Sequence, residues 1–322
     1  MFAARFAAPA VATLAVAVVP APTAAPQPLD VRSVTVAYRS HSGAVRHAVV
    51  LVPKGYRGEA LPLVISPHGR GATGRANAAL WGNLPAVGRF AVVNPDGDGR
   101  RLGRFSWGAP GQIDDLARMP DVVEHALPWL RIDRARVFAF GGSMGGQETL
   151  LLVARHPHLL AGAAAFDSLV DFAHQYDQFP RLRCKAPCLA WGGSLGLTLQ
   201  RLARREVGGS PATAARAYAA RSPLAHARQI ARSGVPLQVW WSRADRIVVD
   251  ADLQSGALLD ALRAEGPAAP VFSVEGRWAH THELRYDALL PYALARFGLL
   301  AAQFDRVPRV TRMRVAHREL VD

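Results

Sequence analysis

Gly141-Gly142-Ser143-Met144-Gly145-Gly146 is the stretch of this 322-residue sequence best suited to chemistry. It fits Gly-x-Ser-x-Gly, follows an apolar run at 137–140 and precedes apolar residues at helical spacing over 145–155. A chain that turns this sharply from strand to helix strains the serine backbone. Side chains beside the serine would collide, so glycine is needed there. The hydroxyl then stands clear at the strand end, with helix N-terminal amides directed at it and favouring developing negative charge. Ser143 is the expected nucleophile.

A serine hydroxyl attacks poorly without a base, and the base needs an acid to orient it. Behind this turn the expected chain order is serine, then acid, then histidine. Asp245 lies just past the apolar run 237–241 and is the expected acid, whereas Asp250 and Asp252 suit the start of the next helix. After the run 271–274 the loop offers His280 and His282. His280 is nearer the strand end and is the expected base, with His282 the alternative. The oxyanion of the transition state calls for preorganised amides. These are expected from Met144 and from Arg70 in the loop His68-Gly69-Arg70-Gly71. The Arg70 side chain is a candidate contact for an anionic substrate group, and His68 is expected to brace the loop. Trp107 is a candidate lining residue of the substrate cleft. Asp114 and Asp115 would suit a metal or acid catalysis as a pair. Neighbours on a helix point apart, however, and acids favour a helix start, so capping is expected there. No metal and no cofactor is expected.

The elements that must hold these residues alternate. Residues 31–38 and 46–52 read as a hairpin; 61–66, 90–94, 136–140, 160–166, 236–241 and 271–274 read as further strands. Helical spacing runs over 113–130, 145–155, 253–264 and 284–297. Strands alternating with helices imply a mostly parallel sheet, here of about eight strands flanked by helices, with the first pair antiparallel. Residues 170–220 break the alternation and are expected to form a cap inserted after the sixth strand. The expected organisation is a signal peptide over 1–25, one α/β domain over 26–302 and a basic, loosely ordered tail over 303–322.

Composition sets the outer bounds. Half the residues are hydrophobic and 20% charged, enough for a sizeable core. The formal net charge is +13, nearly all from scattered arginine; the lysines are Lys54 and Lys185. No basic run interleaves with aromatics, so a solvated basic surface is expected rather than a nucleic-acid partner. Arg5 followed by an apolar stretch over 6–19 and small residues at 21–25 reads as an export signal. The stretch is short for a bilayer span, so a secreted or extracytoplasmic protein without stable membrane insertion is expected. Cys184 and Cys188 permit a small local disulfide or two free thiols.

The elbow, with Trp107-Gly108, Gln112-Ile113-Asp114-Asp115, Ile132-Asp133-Arg134-Ala135-Arg136-Val137 and Arg221-Ser222-Pro223-Leu224, resembles the α/β-hydrolase superfamily over roughly 31–299. It is similar to secreted esterases of the feruloyl esterase and polyhydroxyalkanoate depolymerase group. It also resembles the catalytic domain of prolyl oligopeptidase-type peptidases, although no β-propeller is expected. The resemblance implies a serine hydrolase acting on small or polymeric esters. The alternatives are a peptidase and a non-catalytic scaffold of the same fold.

Overall fold

The computed structural model describes residues 30–182, 195–301 and 316–319. The expected signal segment and both cysteines lie outside the described residues. The strands are β1 (Val31–Arg39), β2 (Val45–Pro53), β3 (Leu61–Ile65), β4 (Ala91–Pro95), β5 (Ile132–Gly142), β6 (Gly162–Phe166), β7 (Leu237–Ser242), β8 (Val271–Gly276) and β9 (Ala316–Glu319). They form one sheet in the order β1-β2-β4-β3-β5-β6-β7-β8-β9. β2 runs antiparallel to both β1 and β4, and the pairs from β4 through β8 are parallel. This is the eight-stranded, mostly parallel α/β sheet expected. Within the stretch read as a loose tail, Ala316–Glu319 adds a ninth strand antiparallel to β8.

The helices follow the crossovers. α1 (Gly74–Ala78) and α2 (Leu84–Gly88) precede β4; α3 (Pro110–Ala117) and α4 (Met119–Ala126) precede β5; α5 (Met144–Arg155) precedes β6. Between β6 and β7 lie α6 (Phe172–Gln178), α7 (Leu195–Val207), α8 (Ala215–Ala219) and α9 (Ala227–Ala231). α10 (Ala257–Glu265) precedes β8 and α11 (Leu290–Arg296) follows it. The single helix expected over 113–130 is instead two. Pro120 has no amide to continue the ladder, and Arg118 N bends onto both Asp114 O and Asp115 O. The helix expected over 284–297 begins only at Leu290, beside Pro291, which fits a first turn.

Alternation along the strands builds two cores. Val137 and Ala139 of β5 face one with Ile65 and Val239, while Phe138 and Phe140 face the other with Phe166 and Trp240. β3, β4, β6 and β7 are buried along their whole length, because helices cover both faces. A third cluster stands over the C-terminal end of β5. It joins Trp107 and Met144 to Phe172, Tyr176, Phe179, Leu199 and Tyr218 of the segment between β6 and β7.

Candidate active site

Ser143 sits between β5 and α5 at φ 58°, ψ −123°, a conformation L-residues avoid, and is 8% exposed. Such a backbone costs ~1–3 kcal/mol and persists only where its surroundings hold it. Here its N–H donates to Phe166 O at 2.8 Å, and its carbonyl accepts from Gln147 N at 3.0 Å. The flanking glycines have a direct physical cause. A Cβ on Gly141 would overlap the Gly145 carbonyl, and one on Gly145 would overlap the Pro67 carbonyl. The second contact seats the 67–70 loop against the elbow; a Cβ built on Gly69 would lie 3.9 Å from Ser143 Cβ.

His280 and Asp245 meet across the ends of β8 and β7. His280 Nδ1 lies 2.7 Å from Asp245 Oδ2, with side chains 19% and 3% exposed. Asp245 Oδ1 accepts from Ile247 N at 2.7 Å and Val248 N at 3.2 Å, which fixes the carboxylate. A carboxylate only accepts, so Nδ1 carries the proton and Nε2 is left as the basic nitrogen. His282 is exposed, and its amide closes a turn onto Ala279 O. Ser143, His280, Arg70 and Thr281 line one cleft of about 230 Å³. A somewhat larger cavity of about 290 Å³ beside α6 and α8 contains no comparable serine–histidine pair. The amides of Arg70 and Met144 donate to no acceptor among the described residues. Buried His68 braces the loop from within. Its Nδ1 donates to Gly69 O at 2.7 Å, and its Nε2 accepts from Gly97 N at 2.8 Å. Burial holds its pKa below the usual range, which keeps that acceptor available.

A second acid at this site escaped the sequence reading. Asp167, just past β6 at φ 40°, is buried. It accepts from Ser242 N at 2.8 Å, Trp278 Nε1 at 3.1 Å and Thr281 N at 2.8 Å. Asp167, Asp245 and His280 bring ligating atoms within 4.8 Å of one another. Burial, then the Asp245 charge, pushes the Asp167 carboxyl up to about 7. Glu283, fully buried, is pushed well above the carboxylate range by burial and by Asp167. The signal was available: Asp167 follows its strand just as Asp245 follows β7.

Trp107, the candidate lining residue, is 1% exposed at φ 40° and stacks on Phe172. With Arg70, Ser143, Met144, Leu169, Phe179 and others it lines a second, small pocket of about 10 Å³ that shares the serine with the cleft. Its loop is clasped from α7. Glu206, fully buried, accepts from the amides of Arg100, Arg101 and Leu102 at 2.7–2.9 Å and pairs with buried Arg221 at 3.2 Å. Arg221 also donates to Ser106 O, and Ser106 Oγ donates to Glu148, whose carboxyl burial pushes up to about 7. Removing one partner of a buried pair strands the other, so Glu206→Ala is expected to cost ~3–5 kcal/mol. Urea denaturation measures this, and a loss below ~1 kcal/mol would show that the clasp contributes little.

Asp114 and Asp115 do not cap their helix, because α3 starts at Pro110 and both lie beyond its first turn. Asp114 meets His156 Nε2 at 3.0 Å. Asp115 accepts from His41 N and Nδ1 and from Arg118. Asp98 beside them is held by Ser40, Ser42 and Arg46. With arginine already on both buried carboxylates, this cluster is an ion-pair network.

No protein-family model matches the chain. Over 120 residues it is 32% identical to poly(3-hydroxyalkanoate) depolymerase C of Paucimonas lemoignei, covering 35% of this chain and 29% of that protein. It therefore matches less than a third of that relative's length. Among solved structures it is similar to a mutant of the esterase rPPE (TM-score 0.61, 17% identity, 84% of this chain and 81% of that one). It is also similar to puromycin hydrolase (TM-score 0.59, 19% identity, 90% and 42%). A third likeness is to the acylaminoacyl peptidase of Pyrococcus horikoshii (TM-score 0.57, 16% identity, 80% and 38%). The chain spans less than half of each of the latter two structures. The fold is the α/β-hydrolase fold.

Proposed function

We propose that the chain is a serine hydrolase of carboxylic esters, with Ser143 as nucleophile, His280 as base and Asp245 as the acid that orients it. The observation that carries this reading is the convergence on one cleft. A strained serine at the cleft wall shares that cleft with an imidazole whose far nitrogen is held by a carboxylate. Ser143 Oγ attacks the ester carbonyl as His280 Nε2 takes its proton. The oxyanion that forms is held by the Met144 and Arg70 amides. Collapse expels the alcohol, which takes the proton from His280 and leaves an acyl-enzyme. Water, deprotonated by the same nitrogen, attacks that acyl group and releases the acid.

The likeness to a poly(3-hydroxyalkanoate) depolymerase supports an ester, small or polymeric, as substrate. The helices over Trp107 are read as a cap that shapes the acyl or alcohol site. Export through residues 1–25 rests on their sequence pattern; no helix among the described residues is long and apolar enough to cross a membrane. A peptide substrate is the second reading, favoured by the similarity to an acylaminoacyl peptidase. The test is labelling with a fluorophosphonate, mapped to its residue, together with turnover of short-chain aryl esters and aminoacyl anilides. Labelling at Ser143 with ester turnover is expected. Anilide turnover without ester turnover would replace the ester reading with the peptidase one, and absence of labelling and of all turnover would end both.

A further inference from the structure

We propose that Arg70 makes this site selective for esters that carry a free carboxylate a few bonds from the scissile carbonyl. The inference rests on the ester-hydrolase reading above and concerns the Arg70 side chain, as distinct from its backbone amide. Arg70 lines both the larger cleft and the small pocket beside it, the two spaces that share Ser143. Its loop abuts the serine through Gly69. Neither lining contains an aspartate or glutamate.

The guanidinium is half-buried, and burial alone holds its pKa below the ordinary value. Among the described residues it has no ion-pair partner and donates no side-chain hydrogen bond. Residues 183–194, which lie outside the described ones, include no aspartate or glutamate, so that stretch brings no carboxylate. The contrast with Arg221 is direct: that guanidinium is fully buried, and Glu206 answers its charge.

Arginine stays charged at any working pH. Withdrawing such a charge from water without a partner is costly, and a planar donor fork recovers that cost best from a carboxylate. A neutral ester leaves the cost in place, whereas an anionic ester removes it. The N-terminus of α5, starting at Met144, adds a second positive pole at the same spot. The carboxylate can belong to the acyl half, as in a monoester of a dicarboxylic acid. It can equally belong to the alcohol half, as in an ester of a hydroxy acid. Both present the same anion to Arg70.

Two matched pairs of substrates separate these sources. The acyl arm compares 4-nitrophenyl hemiglutarate with 4-nitrophenyl valerate. The alcohol arm compares 3-(butanoyloxy)butanoate with its amide. The expected result is a kcat/KM ratio, charged over neutral, of about 10 to 100 on at least one arm. That ratio should collapse toward unity in Arg70→Met and be partly kept in Arg70→Lys. Free glutarate should compete with the neutral ester in the wild-type enzyme while glutaramide does not, a readout that needs no variant. Preference for the neutral substrate on both arms, or an equal loss on charged and neutral esters in Arg70→Met, would overturn the proposal. Turnover without charge preference would sink this inference alone; failure to turn over any of the four esters would sink it together with the hydrolase reading.

Discussion

Ser143→Ala and His280→Ala are each expected to lower kcat for an activated ester by about a million-fold, and the double variant to lose no more than either alone. The reason is that the two side chains act as one unit. Without the imidazole the Ser143 hydroxyl keeps its proton, and without the hydroxyl the imidazole has nothing to activate. The residue that remains supplies only what the oxyanion amides and binding already supply. Of the two histidines in this loop, His280 is the proposed base. His280 has Nδ1 fixed by Asp245 at 2.7 Å and lines the cleft with Ser143, whereas His282 is exposed and its backbone only closes a turn. His282→Ala should therefore keep most of the activity. Burst kinetics with a 4-nitrophenyl ester, at matched fluorophosphonate-titrated concentrations of the wild type, would measure this. Losses that multiply in the double variant would mean that serine and histidine do not work as a unit. A large loss in His282→Ala would move the base.

Residues just past strand ends were legible because short apolar runs mark where a buried parallel strand stops. Ser143, Asp245 and His280 all follow such runs, and the glycines around Ser143 mark a turn that side chains would block. What was not legible depended on distance along the chain. Asp167 also follows its strand, but β6 reads Gly-Ala-Ala-Ala-Phe and the residues after it pass at once into the long segment before β7. Its role shows only when Ser242, Trp278 and Thr281 arrive with their N–H groups. Glu206 stands in an arginine-rich helix and reads as a solvated acid until the amides of residues 100–102 close on it. The break between α3 and α4 was hidden for a different reason. Ile113, Leu116, Met119 and Val123 keep helical spacing straight through it and all face one core, so periodicity alone carries no mark of the interruption. Pro120 was the available signal.

Asp245→Asn is expected to lower kcat by about ten-thousand-fold, because an amide no longer demands the proton on His280 Nδ1 and the ring loses its productive tautomer. In this site the residual activity should carry a signature, since Asp167 remains within reach of the same imidazole. Asp167 titrates at about 7 because it is buried and because Asp245 beside it is negative. Neutralising Asp245 removes the second cause, so Asp167 should ionise at lower pH in the variant than in the wild type. As pH rises through that point, a carboxylate appears beside His280 that can orient the ring and stabilise its protonated form. The residual kcat of Asp245→Asn should therefore climb more steeply with pH than that of Asp245→Asn/Asp167→Asn, which has no acid left there to ionise. Glu283, packed against Asp167, is held protonated by burial and by the Asp167 charge, and being neutral it leaves Asp167 as the acid that ionises there. pH–rate profiles of the two variants on one ester decide the matter. Superimposable profiles would show that Asp167 only ties down the loop through Trp278 and Thr281, and that Asp245 alone orients the base.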